Sequence, residues 1–134
     1  MTKEQIIEAL KAAAKPYESY YIADDIRQAM MSLPQPFELV EPILQIIESN
    51  PTVDFGSPGD LVRYVECFYK KGYEELLIAS VRRNPKAHNI WMLHRCYNDK
   101  NNPIHNKFED LVNDLKTDCN IPDEIKAEIA NFTW

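Results

Sequence analysis

Apolar residues recur along this chain at intervals of three and four positions, and prolines interrupt the pattern between one apolar segment and the next. Such spacing places apolar side chains on one face of a helix, which the helix buries against its neighbours. The pattern predicts about eight short helices. In chain order they fall in residues 3–14, 17–31, 36–49, 58–69, 73–83, 85–97, 103–115 and 122–132.

The predicted helix starts carry capping signals. Thr2 and Gln5 have the spacing of a capping box, in which each side chain accepts a hydrogen bond from the other's backbone. Later starts share a different signal, a polar capping residue followed directly by proline at the first helical position. These starts are Ser57-Pro58, Asn84-Pro85 and Asn102-Pro103.

The glycine content supports helices over strands. The chain has 134 residues with only three glycines against nine prolines, and hairpin-rich sheets need glycine at turns with positive φ. A length of this order suits one domain with its own core. We therefore predict a single all-α domain over residues 1–134, built as a bundle of antiparallel helices or as a HEAT-like stack of helix pairs.

Net charge narrows the possible partners. The formal charge is −6 and the sequence pI is near 5.0. A nucleic-acid-binding domain needs a basic face that displaces counterions from phosphate, so direct nucleic-acid binding is not expected. An acidic surface serves solubility or attracts a basic partner. Both explanations stay open at this point.

The first residues contain no uninterrupted apolar stretch, so no signal peptide is expected. No apolar run approaches the roughly 20 residues that span a bilayer. Cys67, Cys96 and Cys119 are odd in number and lack the spacing of a metal site. These features predict a reduced, cytoplasmic compartment and no membrane association.

Candidate catalytic chemistry is sparse. His88 and His94 are six positions apart, which is not the i, i+4 spacing of a helical zinc site. With Cys96 they suggest either a nucleophile–base pair or a structural role, in which His94 lines the edge of the core and His88 is solvated. No zinc-protease, nucleophile-elbow or phosphate-loop motif is present. We expect no catalytic residues, no metal and no cofactor.

The middle of the chain, about a third of its length, contains a distinctive set of residues. They are Asp54-Phe55-Gly56, Pro58-Gly59, Leu61-Val62, Glu66, Gly72-Tyr73, Leu77, Ser80, Arg83, Pro85, Trp91-Met92-Leu93, Arg95 and Asn98. With these residues the chain resembles a family of small α-helical immunity proteins that are encoded beside bacterial polymorphic or contact-dependent growth-inhibition toxins.

The resemblance implies an antidote that binds a cognate toxin domain, often a nuclease, and covers its active or substrate-binding surface. A nuclease needs a basic surface for phosphate, so an acidic inhibitor would be steered towards it. The alternative function is a HEAT-like adaptor for protein binding with no link to a toxin. A third hypothesis is an enzyme that uses His94 and Cys96.

Two further sets of residues follow from the helical assignment. The core is expected to include Leu61, Val65, Leu77, Trp91 and Leu111. Partner binding is expected at acidic residues around the turn before the fourth helix and on the helices after it, with the tyrosines from Tyr17 to Tyr21 as the next candidate surface. These acidic residues, at positions taken to lie outside the core, are Asp54, Asp60, Glu66, Glu74 and Glu75, although Asp60 could simply favour the helix amino end.

Overall fold

A computed structural model describes the whole chain, from residue 1 to residue 134, and it is all-helical. Eight α-helices follow one another, with a single turn of 3-10 helix at Pro36–Leu39 directly before the third. No helix is long and apolar enough to cross a membrane. The helices are α1 (Lys3–Ala12), α2 (Asp24–Met31), α3 (Val40–Ser49), α4 (Gly59–Glu66), α5 (Tyr73–Arg83), α6 (Ala87–Tyr97), α7 (His105–Thr117) and α8 (Asp123–Ala130).

The helices pack in the order of a stack of four pairs. Within the pairs, α1 contacts α2, α3 contacts α4, α5 contacts α6 and α7 contacts α8. The other extensive contacts between α-helices join one pair to the next: α1 with α3, α3 with α5 and α6, and both α5 and α6 with the last pair. This packing of helices against their neighbours in the chain fits the predicted all-α bundle.

The pairs share one continuous core. A single cluster of 29 buried apolar residues draws side chains from all eight helices, which makes the chain one packing unit. The third helix is the most deeply buried because its sequence is apolar on most sides, with Ile43, Leu44, Ile46 and Ile47 all inside. A helix of this kind needs neighbours all round, and α3 contacts α1, α4, α5 and α6.

The predicted core residues are confirmed with one exception. Leu61, Val65, Leu77 and Leu111 are fully buried. Trp91 is only half-buried, so its assignment to the core was wrong. Its ring packs beside the His88 ring and under the Arg95 guanidinium, 5.0 Å from the ring centre, because that face of α6 borders solvent.

Only one of the predicted helix caps forms as expected. Thr2 and Gln5 make the reciprocal capping box of α1. Ser57 does not cap α4, because Gly56 and Gly59, both with positive φ, extend the turn and the helix begins at Gly59. At α6 it is Asn89 whose side chain reaches back to the backbone N–H of Lys86.

Asn84 and Asn102, which were predicted to cap helices, instead form hydrogen bonds with residues on other elements. The side-chain amide of Asn84 donates to the Glu48 carbonyl at the end of α3. The side chain of Asn102 donates to Glu74 and to the Tyr69 hydroxyl, and accepts from the Ile104 N–H. Each asparagine therefore satisfies polar groups on an element distant in sequence, which sequence spacing alone does not reveal.

An ion pair between the buried carboxylate of Glu48 and the partly exposed guanidinium of Arg83 joins α3 to α5. The side chain of Glu48 is 5% exposed. The Arg83 guanidinium donates to both oxygens of its carboxylate, with Nε 2.9 Å from Oε2. The Ser80 hydroxyl donates to the same carboxylate at 3.0 Å. Buried carboxylates need such partners, because a charge removed from water without compensation is costly.

Candidate functional site

The largest departure from the sequence prediction lies between α1 and α2. Residues 17–31 were expected to form one helix, but α2 begins only at Asp24. The residues before it run as an extended segment beside the loop that follows α3. Ser19 and Asp54 form an isolated parallel bridge, in which Tyr20 donates to the Asp54 carbonyl at 2.8 Å and Asp54 donates to the Glu18 carbonyl at 3.0 Å.

The side chains of the two bridged segments alternate between core and solvent, as in a short sheet. Val53 and Phe55 point inwards and are buried, while Asp54 between them is exposed. Tyr20 also points inwards: its ring lies 5.1 Å from that of Phe55, and its hydroxyl donates to the Leu10 carbonyl at the end of α1. Burial of this hydroxyl raises the pKa of Tyr20 well above its ordinary value.

The neighbouring tyrosines point the other way. Tyr17 is 86% exposed and Tyr21 is 71% exposed, the two most exposed large aromatic side chains of the chain. The backbone of Tyr17 is left-handed, with φ 64°, and its N–H donates to the Thr52 carbonyl. This conformation is uncommon for a bulky residue, so the bridge holds the ring of Tyr17 in solvent at a cost in backbone strain.

Four carboxylates lie on the bridged segments and at the starts of α2 and α4. Glu18 is exposed and has no hydrogen-bonding or charged partner for its side chain. Asp54 accepts only from the backbone of its own turn, at Gly56. Arg27 lies between Asp24 and Asp60, bonding the first at 2.6 Å and the second at 2.8 Å.

We call this region the bridge surface and define it by its exposed or half-exposed side chains. Its four carboxylates and one guanidinium give it a charge of −3, half of the formal charge of the chain. The fold thus brings together two candidates that the sequence kept apart, the loop at Asp54 and the tyrosines before α2. The members are Tyr17, Glu18, Tyr21, Asp24, Arg27, Asp54 and Asp60.

The other predicted partner-binding residues lie elsewhere. Glu66 of α4 pairs in bidentate fashion with Arg95, at 2.8 and 2.9 Å. Glu75 pairs with Lys107 at 3.2 Å. Glu74 is only 5% exposed, so its placement outside the core was wrong; its carboxylate accepts from the Lys70 backbone and from Asn102, which holds the start of α5.

The residues considered for catalysis are placed as packing groups. Cys96 is buried among apolar side chains, and burial raises the pKa of its thiol to about 12, which keeps it protonated and a poor nucleophile at neutral pH. His94 stacks on Phe132 with ring centres 4.6 Å apart and borders the core as expected. No group of three or more histidine, cysteine or acidic side chains is placed to hold a metal ion.

His88 differs from its prediction, since it is half-buried rather than solvated. Its ring packs between those of Phe55 and Trp91, with centres 5.6 and 5.2 Å away. Its Nε2 atom is buried and has no hydrogen-bond partner. Burial lowers the pKa of His88, and the nearby Asp54 carboxylate opposes this only in part.

We expect His88 to make stability depend on pH. Because the folded state disfavours the protonated ring, stability is fully present above about pH 6.5, the ordinary pKa of histidine, and falls as pH drops below it. The change His88→Phe should remove this contribution. Urea unfolding of both proteins at several pH values should show a smaller acid loss in the variant, and an equal loss would contradict the assignment.

The sequence contains only a weak signal for the bridge. Residues 53–55 alternate apolar and polar side chains, as a short strand does, but three residues are too few to stand out. Residues 19–22 read Ser-Tyr-Tyr-Ile, which does not alternate, and they fit the helical prediction for residues 17–31. Pairing between segments more than thirty positions apart is not encoded in either one alone.

Comparison with protein-family models, with curated proteins and with solved structures finds no match to this chain.

Proposed function

We propose that this chain is an immunity protein, which binds a basic toxin domain through the bridge surface and blocks the toxin's substrate site. The observation that carries the proposal is the meeting of two exposed tyrosines with a surplus of carboxylates on one surface. Tyrosine is among the residue types that contribute most to binding at protein interfaces. Carboxylates supply long-range attraction to a basic partner.

The two kinds of side chain have separate tasks in this proposal. Arg27 neutralises part of the charge of Asp24 and Asp60, whereas Glu18 and Asp54 have no cationic partner. These free carboxylates steer the encounter and set its dependence on salt. The rings of Tyr17 and Tyr21 are then buried against the partner. This burial determines how slowly the complex dissociates.

The nature of the partner follows from the resemblance given above. A nuclease toxin presents a cationic surface to phosphate, so an acidic protein on that surface excludes the substrate. The immunity protein acts in the cytoplasm of the cell that makes the toxin. Its partner is the toxin domain encoded beside it, and it contacts neither nucleic acid nor membrane directly.

Co-expression tests the proposal. The toxin domain encoded next to this chain is expressed in a sensitive host with and without the chain, and growth and co-purification are measured. Rescue of growth together with a purified complex supports immunity. A folded chain that neither rescues growth nor co-purifies would rule out immunity against that toxin and favour the adaptor alternative.

Reversing one free carboxylate should slow association. We expect Glu18→Lys to lower the association rate constant by about tenfold at low salt, with the difference shrinking near 0.5 M salt. The matched control is Asp110→Lys, an exposed carboxylate on α7 with no partner and the same change in charge. Stopped-flow binding to the toxin domain at two ionic strengths is the measurement.

Equal slowing by both variants would mean that only net charge matters and that the partner does not dock at the bridge surface. A second variant, Tyr17→Ala, should instead raise the dissociation rate. The side chain of Tyr17 is 86% exposed, so the melting temperature of this variant should stay near that of the original chain, and a thermal melt checks that any loss of binding is not a loss of fold.

A further inference from the structure

The bridge leaves one backbone edge without partners. In the bridged pair, the backbone of Asp54 donates to the Glu18 carbonyl and accepts from the Tyr20 N–H. The backbone groups of residues 19 and 21 therefore face away from Asp54. Neither the N–H nor the C=O of Ser19 or Tyr21 forms a hydrogen bond within the chain. An unpaired edge of this kind is a template for another extended chain.

The open edge borders a groove between the end of α1 and the approach to α2. Ser19 and Tyr21 line this groove, and its opposite side consists of Ala9, Ala12 and Ala13. Its volume is about 410 Å³. Because alanine side chains are short, a backbone can lie close to α1 there.

The charge of the groove indicates what it accepts. Glu18 and Lys15 are the two charged residues that line it. The exposed Asp25 lies just beyond the wall residue Ala23 at the start of α2 and has no cationic partner, whereas its neighbour Asp24 pairs with Arg27. Glu18 and Asp25 thus outnumber Lys15 and favour a segment with lysine or arginine on its outer side, and the alanines favour small apolar side chains on its inner side.

We propose that the α1–α2 groove binds an extended, basic segment of the partner protein by strand addition to the Ser19–Tyr21 edge. The partner's backbone exchanges hydrogen bonds with the free N–H and C=O groups of Ser19 and Tyr21. Its alternate side chains point towards the alanines of α1 and towards the carboxylates of Glu18 and Asp25. This binding mode rests on the proposed function for the identity of the partner, though not for the existence of the open edge.

Amide hydrogen exchange followed by NMR tests the binding mode in the complex with the toxin domain. The N–H groups of Ser19 and Tyr21 should exchange about tenfold more slowly in the complex than in the free chain, because they acquire acceptors. The N–H of Tyr20, already bonded to Asp54, serves as the internal reference. A complex that leaves the exchange of Ser19 and Tyr21 unchanged overturns strand addition while the immunity function stands.

A pair of alanine variants tests the groove. Ala12→Arg places a long cation at its side, and Ala127→Arg makes the same change at an exposed alanine on α8. We expect affinity for the toxin domain to fall by about tenfold for the first and to change by less than about twofold for the second. Equal affinities of the two variants would overturn the proposed use of the groove.

A short peptide separates this inference from the proposed function if the toxin domain does not bind. The probe is the capped peptide Lys-Val-Lys-Val-Lys at millimolar concentration, with Glu-Val-Glu-Val-Glu as the control. Shifts of the Ser19 and Tyr21 amide resonances with the basic peptide alone would support the binding mode for a partner other than the toxin. No shift with the basic peptide in that case would overturn it.

Discussion

Truncation of Leu77 to alanine should lower the free energy of unfolding by about 2–5 kcal/mol. Leu77 lies on α5 and is fully buried, and α5 packs against α3, α6 and α7. Removal of its branched side chain loses the favourable free energy of transferring those apolar atoms from water to the core. It also leaves a cavity that the three surrounding helices cannot close without moving. Urea unfolding followed by circular dichroism gives the measurement.

The neighbouring residue provides a control for this change. Leu76 is of the same type on the same helix but is only half-buried, so Leu76→Ala should cost distinctly less. A loss below about 0.5 kcal/mol for Leu77→Ala would place that side chain outside the core, because exposed substitutions stay in that range. Equal losses at both positions would show that the core does not distinguish the two faces of α5.

The helices were predictable where local sequence and tertiary packing agree. The predicted fifth helix, residues 73–83, has the observed bounds Tyr73–Arg83. Its apolar spacing is regular, Gly72 before it has φ 108°, and Arg82 and Arg83 complement its carboxyl end. Every local preference here matches the fold, so the sequence alone was enough.

The second helix was mispredicted because tertiary contacts override its spacing. Residues 17–22 satisfy helical periodicity, but Tyr20 makes more stabilising contacts in the strand-like position. There its hydroxyl donates a hydrogen bond to the Leu10 carbonyl at the end of α1, and its ring packs on Phe55. Both partners lie far from Tyr20 in the sequence, and periodicity within one segment contains no information about them.

The prediction of the candidate site was limited in the same way. Asp54 and the tyrosine cluster were each identified as candidates from the sequence, but their contact depends on the 19–54 bridge. Glu74 looked like a surface residue because its spacing on α5 is that of the polar face. Its burial depends on Asn102, which lies in the turn before α7. The side-chain amide of Asn102 donates a hydrogen bond to the buried carboxylate and so offsets the cost of its burial.

Removal of the arginine that holds Glu48 should be as damaging as the loss of a core leucine. We expect Arg83→Met to lower the free energy of unfolding by about 3 kcal/mol at neutral pH. Methionine retains most of the apolar stem, so the packing of Arg83 is largely kept while its charge is lost. The carboxylate of Glu48 would then remain inside the protein with the Ser80 hydroxyl as its only side-chain donor.

Two further variants separate the buried charge from other causes. Arg82 precedes Arg83, but it pairs with Asp114 at a position where both side chains are at least half-exposed. The change Arg82→Met should therefore cost less than about 1 kcal/mol. In the double variant Glu48→Gln with Arg83→Met, the buried group is neutral and still accepts from Ser80, so part of the lost stability should return. If the double variant is less stable than Arg83→Met alone, the unpaired carboxylate is not the cause of the loss, and the stem of Arg83 contributes through packing instead.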